Sequence, residues 1–398
     1  MPEISHVTSE QLLLDSLRLG RKLYQTGFRP KHAISIWRGG TVVGLGVDAF
    51  FRNQGVFVNH TTIATESYTG IERQEQVRVK GFEHVIQSIC REDGLLIIDD
   101  VYETGNTIKA IIETLKEKAR ANTPSRIMVG TIHRKPEKVQ YDGVEVQCLY
   151  DVDGKTWIDY PHELVDLITE DPDDPLIRRK CPAIWEALRR EDQVPEIERI
   201  PEPYRYLRPE EVTRDAVRLG VKIFKDTAFQ PDYIVALWPG GVQAGLPLHE
   251  AYKYMMKKSG QPRRKPDHIS INTASTHLTY RTHILGLDYL AERINRDDNV
   301  LLVDSTFKSG RFVNDAMARL KELLRRNIND ERVRVASLYW NPEDQSTWTT
   351  RPFVRKPHYY VRETRGTLIY PHAFHRFRDP RRELREVWPE MADILFVP

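Results

Sequence analysis

Apolar residues along this chain follow two rhythms. Short unbroken apolar runs alternate with stretches in which apolar residues return every third or fourth position. The run Leu95-Leu96-Ile97-Ile98 is the clearest of the first kind, and Ile108, Ile111, Ile112, Leu115 and Ala119 follow it at helical spacing. A run without polar alternation predicts a strand buried on both faces, and the second pattern predicts an amphipathic helix packed across it. His32-Ala33-Ile34-Ser35-Ile36-Trp37 before a glycine pair, and Ile127-Met128-Val129-Gly130-Thr131-Ile132, read as further strands. Strands alternating with helices in this way favour a mainly parallel α/β sheet with helices on both faces. Ligands of such sheets bind beyond the carboxyl ends of the strands. Asp99 and Asp100 fall at such an end.

The pattern is written twice. Ser16-Leu17-Arg18-Leu19-Gly20-Arg21-Lys22 returns as Ala216-Val217-Arg218-Leu219-Gly220-Val221-Lys222, and Ile36-Trp37-Arg38-Gly39-Gly40 returns as Leu237-Trp238-Pro239-Gly240-Gly241. The strand before the acids returns as Val300-Leu301-Leu302-Val303-Asp304-Ser305, followed by Val313, Ala316, Met317, Leu320 and Leu324. Tyr160-Pro161-His162 is echoed by Tyr370-Pro371-His372. A period this long is that of a duplicated domain and not of a solenoid repeat. Acidic, proline-rich stretches at 169–175 and 194–203 read as linker, with Ile184-Trp185-Glu186-Ala187-Leu188 as a short docking helix between them. The expected division is a first domain over 1–168, a linker over 169–203 and a second domain over 204–398.

Composition narrows the class. In 398 residues, 59 Lys and Arg against 57 Asp and Glu leave a formal charge of +2, so nothing demands a nucleic acid or an acidic membrane as partner. The basic segment at 376–382 is interleaved with acids, as on a solvated helix face. Cys90, Cys148 and Cys181 are too few and too scattered for a disulfide framework or a zinc cluster. No secretory leader and no run long enough to span a bilayer is visible, and a cytoplasmic enzyme is the expectation.

The chemistry concentrates after the buried run. Asp99-Asp100-Val101-Tyr102-Glu103-Thr104-Gly105-Asn106-Thr107 joins a strand to a helix through a tight polar loop. Free backbone N–H groups and the helix dipole suit such a turn to a phosphate, and the paired acids suit vicinal hydroxyls and a magnesium-bound diphosphate. This stretch resembles the 5-phosphoribosyl-1-diphosphate (PRPP) signature of type I phosphoribosyltransferases, closest to the xanthine-guanine and hypoxanthine-guanine enzymes. The resemblance covers about residues 8 to 165 and implies two tandem domains, each a mainly parallel sheet flanked by helices with a small hood.

It also implies roles. Asp99 and Asp100 would bind the ribose hydroxyls and orient Mg²⁺ through its waters, with Asp159 a weaker metal candidate. Thr104, Gly105, Asn106 and Thr107 would cradle the 5′-phosphate. Arg38, Gly39 and Gly40 would hold the diphosphate, in a loop that in the family often carries a non-proline cis peptide. Ser67 and Tyr68 resemble the start of a mobile lid. Lys135 would donate to the 6-oxo group of a purine, Trp157 would stack on the base, and Ile158 would offer backbone carbonyls. Glu103 would be the general base near N7, where purine enzymes of the family usually have Asp. The implied activity is transfer of 5-phosphoribosyl from PRPP to a 6-oxopurine-like base, as in purine salvage. A specialised heterocyclic acceptor, or a non-catalytic PRPP- or nucleotide-binding regulator, is the alternative.

The second half keeps the pattern and loses the chemistry. Ser305 replaces Asp100, Pro239 replaces Arg38, Lys308 replaces Glu103, Phe312 replaces Thr107, Asn341 replaces Lys135 and Leu368 replaces Trp157, while Asp304, Ser309 and Gly310 remain. It reads as a degenerate copy acting as a built-in partner, an internal pseudo-dimer, with further homo-oligomers left open. The recurring Tyr-Pro-His is better read as structural than as catalytic.

Overall fold

The computed structural model describes residues 3–68, 76–80, 82–164, 182–189, 196–260, 264–272, 284, 286–342 and 352–396. The apolar runs form strands and the periodic stretches form the helices that cover them. The chain begins β1 (Ile4–His6), α1 (Ser9–Gln25), β2 (His32–Trp37), α2 (Gly39–Asn53), β3 (Asn59–Tyr68), β4 (Gln76–Lys80), α3 (Glu83–Ser88), β5 (Gly94–Tyr102), α4 (Asn106–Ala119), β6 (Arg126–Arg134) and β7 (Glu145–Asp151). It continues with β8 (Trp157–Asp159), α5 (Pro182–Arg189), β9 (Ile197–Arg199), β10 (Arg205–Tyr206), α6 (Pro209–Lys225), β11 (Tyr233–Trp238), α7 (Gly240–Ser259), β12 (Asp267–Asn272) and α8 (Leu287–Ala291). The last elements are β13 (Val300–Phe307), α9 (Arg311–Leu324), β14 (Val333–Trp340), β15 (Tyr359–Arg365), β16 (Leu368–Ile369), α10 (Pro380–Val387) and α11 (Pro389–Phe396).

Two compact units result, each with its own six-stranded sheet. The first comprises residues 1–5, 11–158 and 372–398, and the second residues 6–10 and 159–371. The sequence division at 168 and 204 differs from this at both ends. Residues 372–398, assigned by sequence to the second domain, pack in the first unit, where Leu384, Met391, Ala392, Ile394 and Leu395 are buried. The linker is also more than a linker. Its residues 197–199 form β9, which pairs with β15 at the edge of the second sheet, and α5 buries Ile184, Trp185, Ala187 and Leu188 against Val217, Val221, Ala251 and Tyr254. The 169–175 stretch and Cys181 lie outside the described residues. Cys90 and Cys148 are free thiols, and no helix among the described residues is long and apolar enough to cross a membrane.

The first sheet runs β4-β3-β2-β5-β6-β7, and β4 alone is antiparallel. One face of it packs Ile34, Ile36, Ile63, Leu95, Ile97 and Val129 against Phe82 and Val85 and against Ile108, Ile111, Ile112, Leu115 and Ala119 of α4. Each such side chain contributes on the order of 1.5–3 kcal/mol by leaving water. On the opposite face, Leu19 and Leu23 of α1 lie over Gly130 of β6. Between β2 and β5 the pairing ends at Ser35 and Ile98, one residue before Asp99. Neighbouring strands diverge there and the strand order reverses, which opens a crevice at the carboxyl edge.

The second sheet runs β12-β11-β13-β14-β15-β9 and is parallel throughout. Its core gathers Val235, Leu237, Val300 and Leu302 with Val313, Ala316, Met317, Leu320 and Leu324 of α9. The basic segment of the tail behaves as a solvated helix start: Asp379 caps α10 by accepting from the Arg382 N–H, and Leu384 alone in that helix is buried.

Candidate functional site

The crevice of the first unit is built by close backbone approach. A Cβ on Gly40 would lie 2.3 Å from the Ile98 carbonyl oxygen and 2.9 Å from the Asp99 Cα, and one on Gly39 would lie 1.7 Å from Asp100 Oδ2. Glycine at both positions lets the amino end of α2 press onto the carboxyl end of β5. The positive end of the helix dipole therefore faces the acid pair. Asp100 is buried and its Oδ1 accepts from the Val101 N–H at 2.8 Å, while Asp99 Oδ1 accepts from the Asp100 N–H at 3.1 Å. Burial and the adjacent Asp100 charge push the Asp99 carboxyl well above the usual range, although N–H groups of Asp100 and Gly40 work the other way. Arg38, partly buried, occupies the cap position of α2. The cis peptide bonds among the described residues are Glu202–Pro203 and Trp238–Pro239, so the expected non-proline cis bond is not found in the Arg38 loop.

The phosphate-type loop follows. Gly105, at φ +80, caps α4 in the left-handed conformation that a side chain would strain, and its Cβ would meet the Tyr102 hydroxyl at 2.5 Å. The Asn106 N–H reaches Thr104 Oγ1 at 3.3 Å; Thr104 and Thr107 are partly buried and Asn106 is exposed. Two backbone bonds bind this loop to the segment after β6. The Lys135 N–H donates to the Tyr102 carbonyl at 3.0 Å, and the Gln140 N–H donates to the Thr104 carbonyl at 3.1 Å. The Tyr102 hydroxyl adds a bond to the Tyr141 carbonyl at 2.6 Å.

Glu103 sits between those two clamps. Its Oε1 accepts from Lys138 Nζ at 2.5 Å and from Lys135 Nζ at 3.4 Å. Burial works to raise its pKa, but the hydrogen bond from Lys138 and the charges of Lys135 and Lys138 hold it below the usual carboxylate range. Lys135 is buried, with 7% of its surface exposed. Trp157 is 44% exposed and presents a ring to solvent, and Ile158 beside it is buried. The Trp157 N–H donates to the Glu3 carbonyl at 2.8 Å. Ser67 and Tyr68 end β3 in antiparallel register with Val77 and Gln76, so a hairpin frames the proposed lid, of which 69–75 and Gly81 lie outside the described residues. Asp159 is fully buried in the second unit, where its Oδ2 bonds His6 Nδ1 at 2.7 Å.

One residue beside Glu103 carries no signature in the sequence. It is Lys138, although its place three residues after Lys135, with Pro136 between, makes a one-turn 3₁₀ helix that puts both lysines on one carboxylate. Asp15, a polar residue on the apolar face of α1, is buried and accepts from Arg18 at 2.6 Å, Gln11 at 2.9 Å and Tyr150 at 3.0 Å.

The second unit has the same local geometry with other side chains. Gly310 caps α9 at φ +67, the Asn341 N–H donates to the Phe307 carbonyl at 2.8 Å, and a Cβ on Gly241 would lie 2.2 Å from the Val303 carbonyl oxygen. Asn341 and Leu368 are buried, and Phe312 is 48% exposed at the first turn of α9. Thr306 Oγ1 and the Tyr370 hydroxyl lie 2.7 Å apart, so the tyrosine of this Tyr-Pro-His is joined to the strand end by a hydrogen bond.

No protein-family model matches the sequence, and no curated protein matches it. Among solved structures, the chain is similar to a hypothetical protein from Neisseria gonorrhoeae with bound ppGpp, at 17% identity and a TM-score of 0.36, over 46% of this chain and 98% of that one. It is similar to a purine phosphoribosyltransferase from Pyrococcus horikoshii at 18% identity and a TM-score of 0.29, over 42% and 92% of the two chains. A xanthine-guanine-hypoxanthine phosphoribosyltransferase from Helicobacter pylori gives 18% and 0.31, over 42% and 96%. Likenesses this weak bear on neither substrate nor chemistry.

Proposed function

We propose that the first unit transfers a 5-phosphoribosyl group from PRPP to a ring nitrogen of a 6-oxopurine-like base, releasing diphosphate. The observation that carries this reading is the packing of Gly39 and Gly40 onto Asp100 and the Ile98 carbonyl. It sets a helix amino end, an acid pair and the Gly105 loop around one crevice. Amides at 38–40 and at 104–107 suit the diphosphate and the 5′-phosphate at either end of the donor. Asp99 and Asp100 between them suit the ribose hydroxyls, and their charge favours an oxocarbenium-like transition state. Two adjacent carboxylates, one destabilised by the other, also fit a divalent cation. Mg²⁺ held there through waters would neutralise charge on the departing diphosphate.

In the reaction the bond from C1′ to diphosphate oxygen breaks with its electron pair leaving on diphosphate, and the bond from C1′ to the ring nitrogen forms. Glu103, held below the usual carboxylate range by its two lysines, takes the proton released by the base. Lys135 suits a 6-oxo acceptor and would repel a 6-amino donor, and the exposed Trp157 ring suits stacking, worth about 0.5–1.5 kcal/mol beyond burial. A specialised heterocycle as acceptor is favoured as the second reading by Glu103 itself, whose two lysines weaken it as a base. The second unit, with Ser305, Lys308 and Asn341 at the matching places, would be a non-catalytic copy.

Diphosphate release from PRPP and Mg²⁺ with a panel of bases tests the reading, alongside calorimetric titration of Mg·PRPP. One donor site per chain is expected, abolished by Asp99→Asn with Asp100→Asn, and Glu103→Gln should slow turnover by about 10²–10⁴ while PRPP still binds. Tight binding of PRPP without turnover on any base would make the protein a regulator, and two equivalent PRPP sites would overturn the assignment of the second unit.

A further inference from the structure

Glu103 is held in an unusual way. Both lysine ammonium groups bond the same oxygen, Oε1, and Oε2 has no hydrogen-bond partner among the described residues. The two lysines differ in their surroundings. The Lys135 side chain is 9% exposed and its contact is the longer one at 3.4 Å, whereas that of Lys138 is 43% exposed and makes the shorter bond of 2.5 Å. An acceptor that draws Lys135 to its oxo group therefore takes away the weaker of the two contacts, and Lys138 is left holding the carboxylate.

The backbone makes Lys138 a fixed post. Pro136 opens the 3₁₀ turn of residues 136–138, and the Lys138 N–H closes it on the Lys135 carbonyl at 3.0 Å. The clamps of Lys135 on Tyr102 and of Gln140 on Thr104 lie on either side of that turn, and they also lie on either side of Glu103 in the facing loop. Lys138 and Glu103 are thus the midpoints of two segments tied together at both ends. The Gly154 Cβ position is 3.4 Å from Lys138 Cε, so the loop after β7 backs the lysine stem.

We propose that Lys138 is a positioning residue, which anchors Glu103 through Oε1 and leaves Oε2 as the oxygen that accepts the acceptor's proton. The assignment rests on the reading of Glu103 as the base. The geometry of the ion pair can nevertheless be tested without turnover. The charged groups facing Glu103 are Lys135 and Lys138. Removing Lys138 leaves the carboxylate with one distant partner, free to rotate and easier to protonate. Arginine offers a charged donor at similar reach and should restore the anchor.

The test uses the full chain with Lys138→Met and Lys138→Arg. Carbon-13 NMR of labelled carboxyl groups, with Glu103→Gln identifying the resonance, should show Glu103 titrating at higher pH in Lys138→Met and returning toward the wild type in Lys138→Arg. In the PRPP-dependent assay, Lys138→Met should lower kcat by about tenfold or more and leave KM for PRPP unchanged, and the acidic limb of the pH–rate profile should move to higher pH. Lys138→Arg should recover most of the rate. An unchanged Glu103 titration in Lys138→Met overturns the anchor, as does a normal kcat and pH limb in an enzyme that turns over. If no base is ribosylated by the wild type, the functional reading fails on its own, and the NMR titration still decides whether Lys138 holds Glu103.

Discussion

Gly40→Ala should separate the fold's demand for glycine from the site's. The added Cβ would lie 2.3 Å from the Ile98 carbonyl oxygen and 2.9 Å from the Asp99 Cα, both backbone atoms of a central strand, where ordinary contact begins at 3.4 Å. Helix α2 would have to recede from β5 by about 1 Å. Overpacking of this kind costs about 1–3 kcal/mol, and the better helix propensity of alanine returns at most about 1 kcal/mol. For a unit of this size the result is an unfolding midpoint lower by up to about 12 °C, with loss of PRPP binding because the amino end of α2 has moved. Gly39→Ala is the contrasting case. Its Cβ would strike Asp100 Oδ2 at 1.7 Å, the far end of a side chain that can swing away. That change gives up the bond from the Val101 N–H, about 0.5–1.5 kcal/mol, and it removes a carboxylate from the donor site. Scanning calorimetry with and without Mg·PRPP measures both effects. A Gly40→Ala protein with wild-type midpoint and wild-type PRPP affinity would refute the reasoning, since it would mean α2 does not press on β5.

Two further outcomes follow from particular residues. Lys135→Ala should erode a preference for 6-oxo over 6-amino bases that is worth about 1–3 kcal/mol, or roughly 10- to 100-fold, in the wild type, and a wild-type enzyme that uses adenine as readily as hypoxanthine refutes the role given to this buried ammonium. The fold should also weaken on acidification through His372, which burial and the charges of His375, Arg376 and Arg52 push down to about 3 despite Asp48. The unfolded imidazole titrates near 6.5, so the stability held by its neutral form is full above that pH and drains as pH falls toward 3; by pH 5 His372 alone accounts for a loss of up to about 2 kcal/mol. Unfolding midpoints of wild type and His372→Asn between pH 7.5 and 5 check this, and parallel slopes for the two proteins would sink it.

The sequence by itself determined the parts whose cause is local. Leu95-Leu96-Ile97-Ile98 has no polar position to turn toward water, so it had to be a central strand, and the spacing of Ile108, Ile111, Ile112, Leu115 and Ala119 admits only one buried helical face. The acids after that strand, and the glycine that ends the loop, are tied to the strand's end by chain connectivity, which is why the phosphate-type loop is legible from the residue order alone. The glycine pair of Arg38-Gly39-Gly40 is legible as a turn, but its reason is not: only the packing of α2 shows which atoms a Cβ would meet. Tertiary structure alone decided the rest. Edge strand β9 lies in a segment whose prolines and acids read as linker, because pairing with β15 supplies hydrogen bonds that local composition does not record. Residues 372–398 belong to the first unit, in which Leu384, Met391 and Ile394 are buried, apolar positions whose periodicity shows that they are covered but not by what. The carboxylate of Glu103 is held by Lys138, thirty-five residues away in the chain. Periodicity fixes which face of an element is buried, whereas the partner of a charge is fixed by contacts between distant segments, and those arise only when the chain has folded.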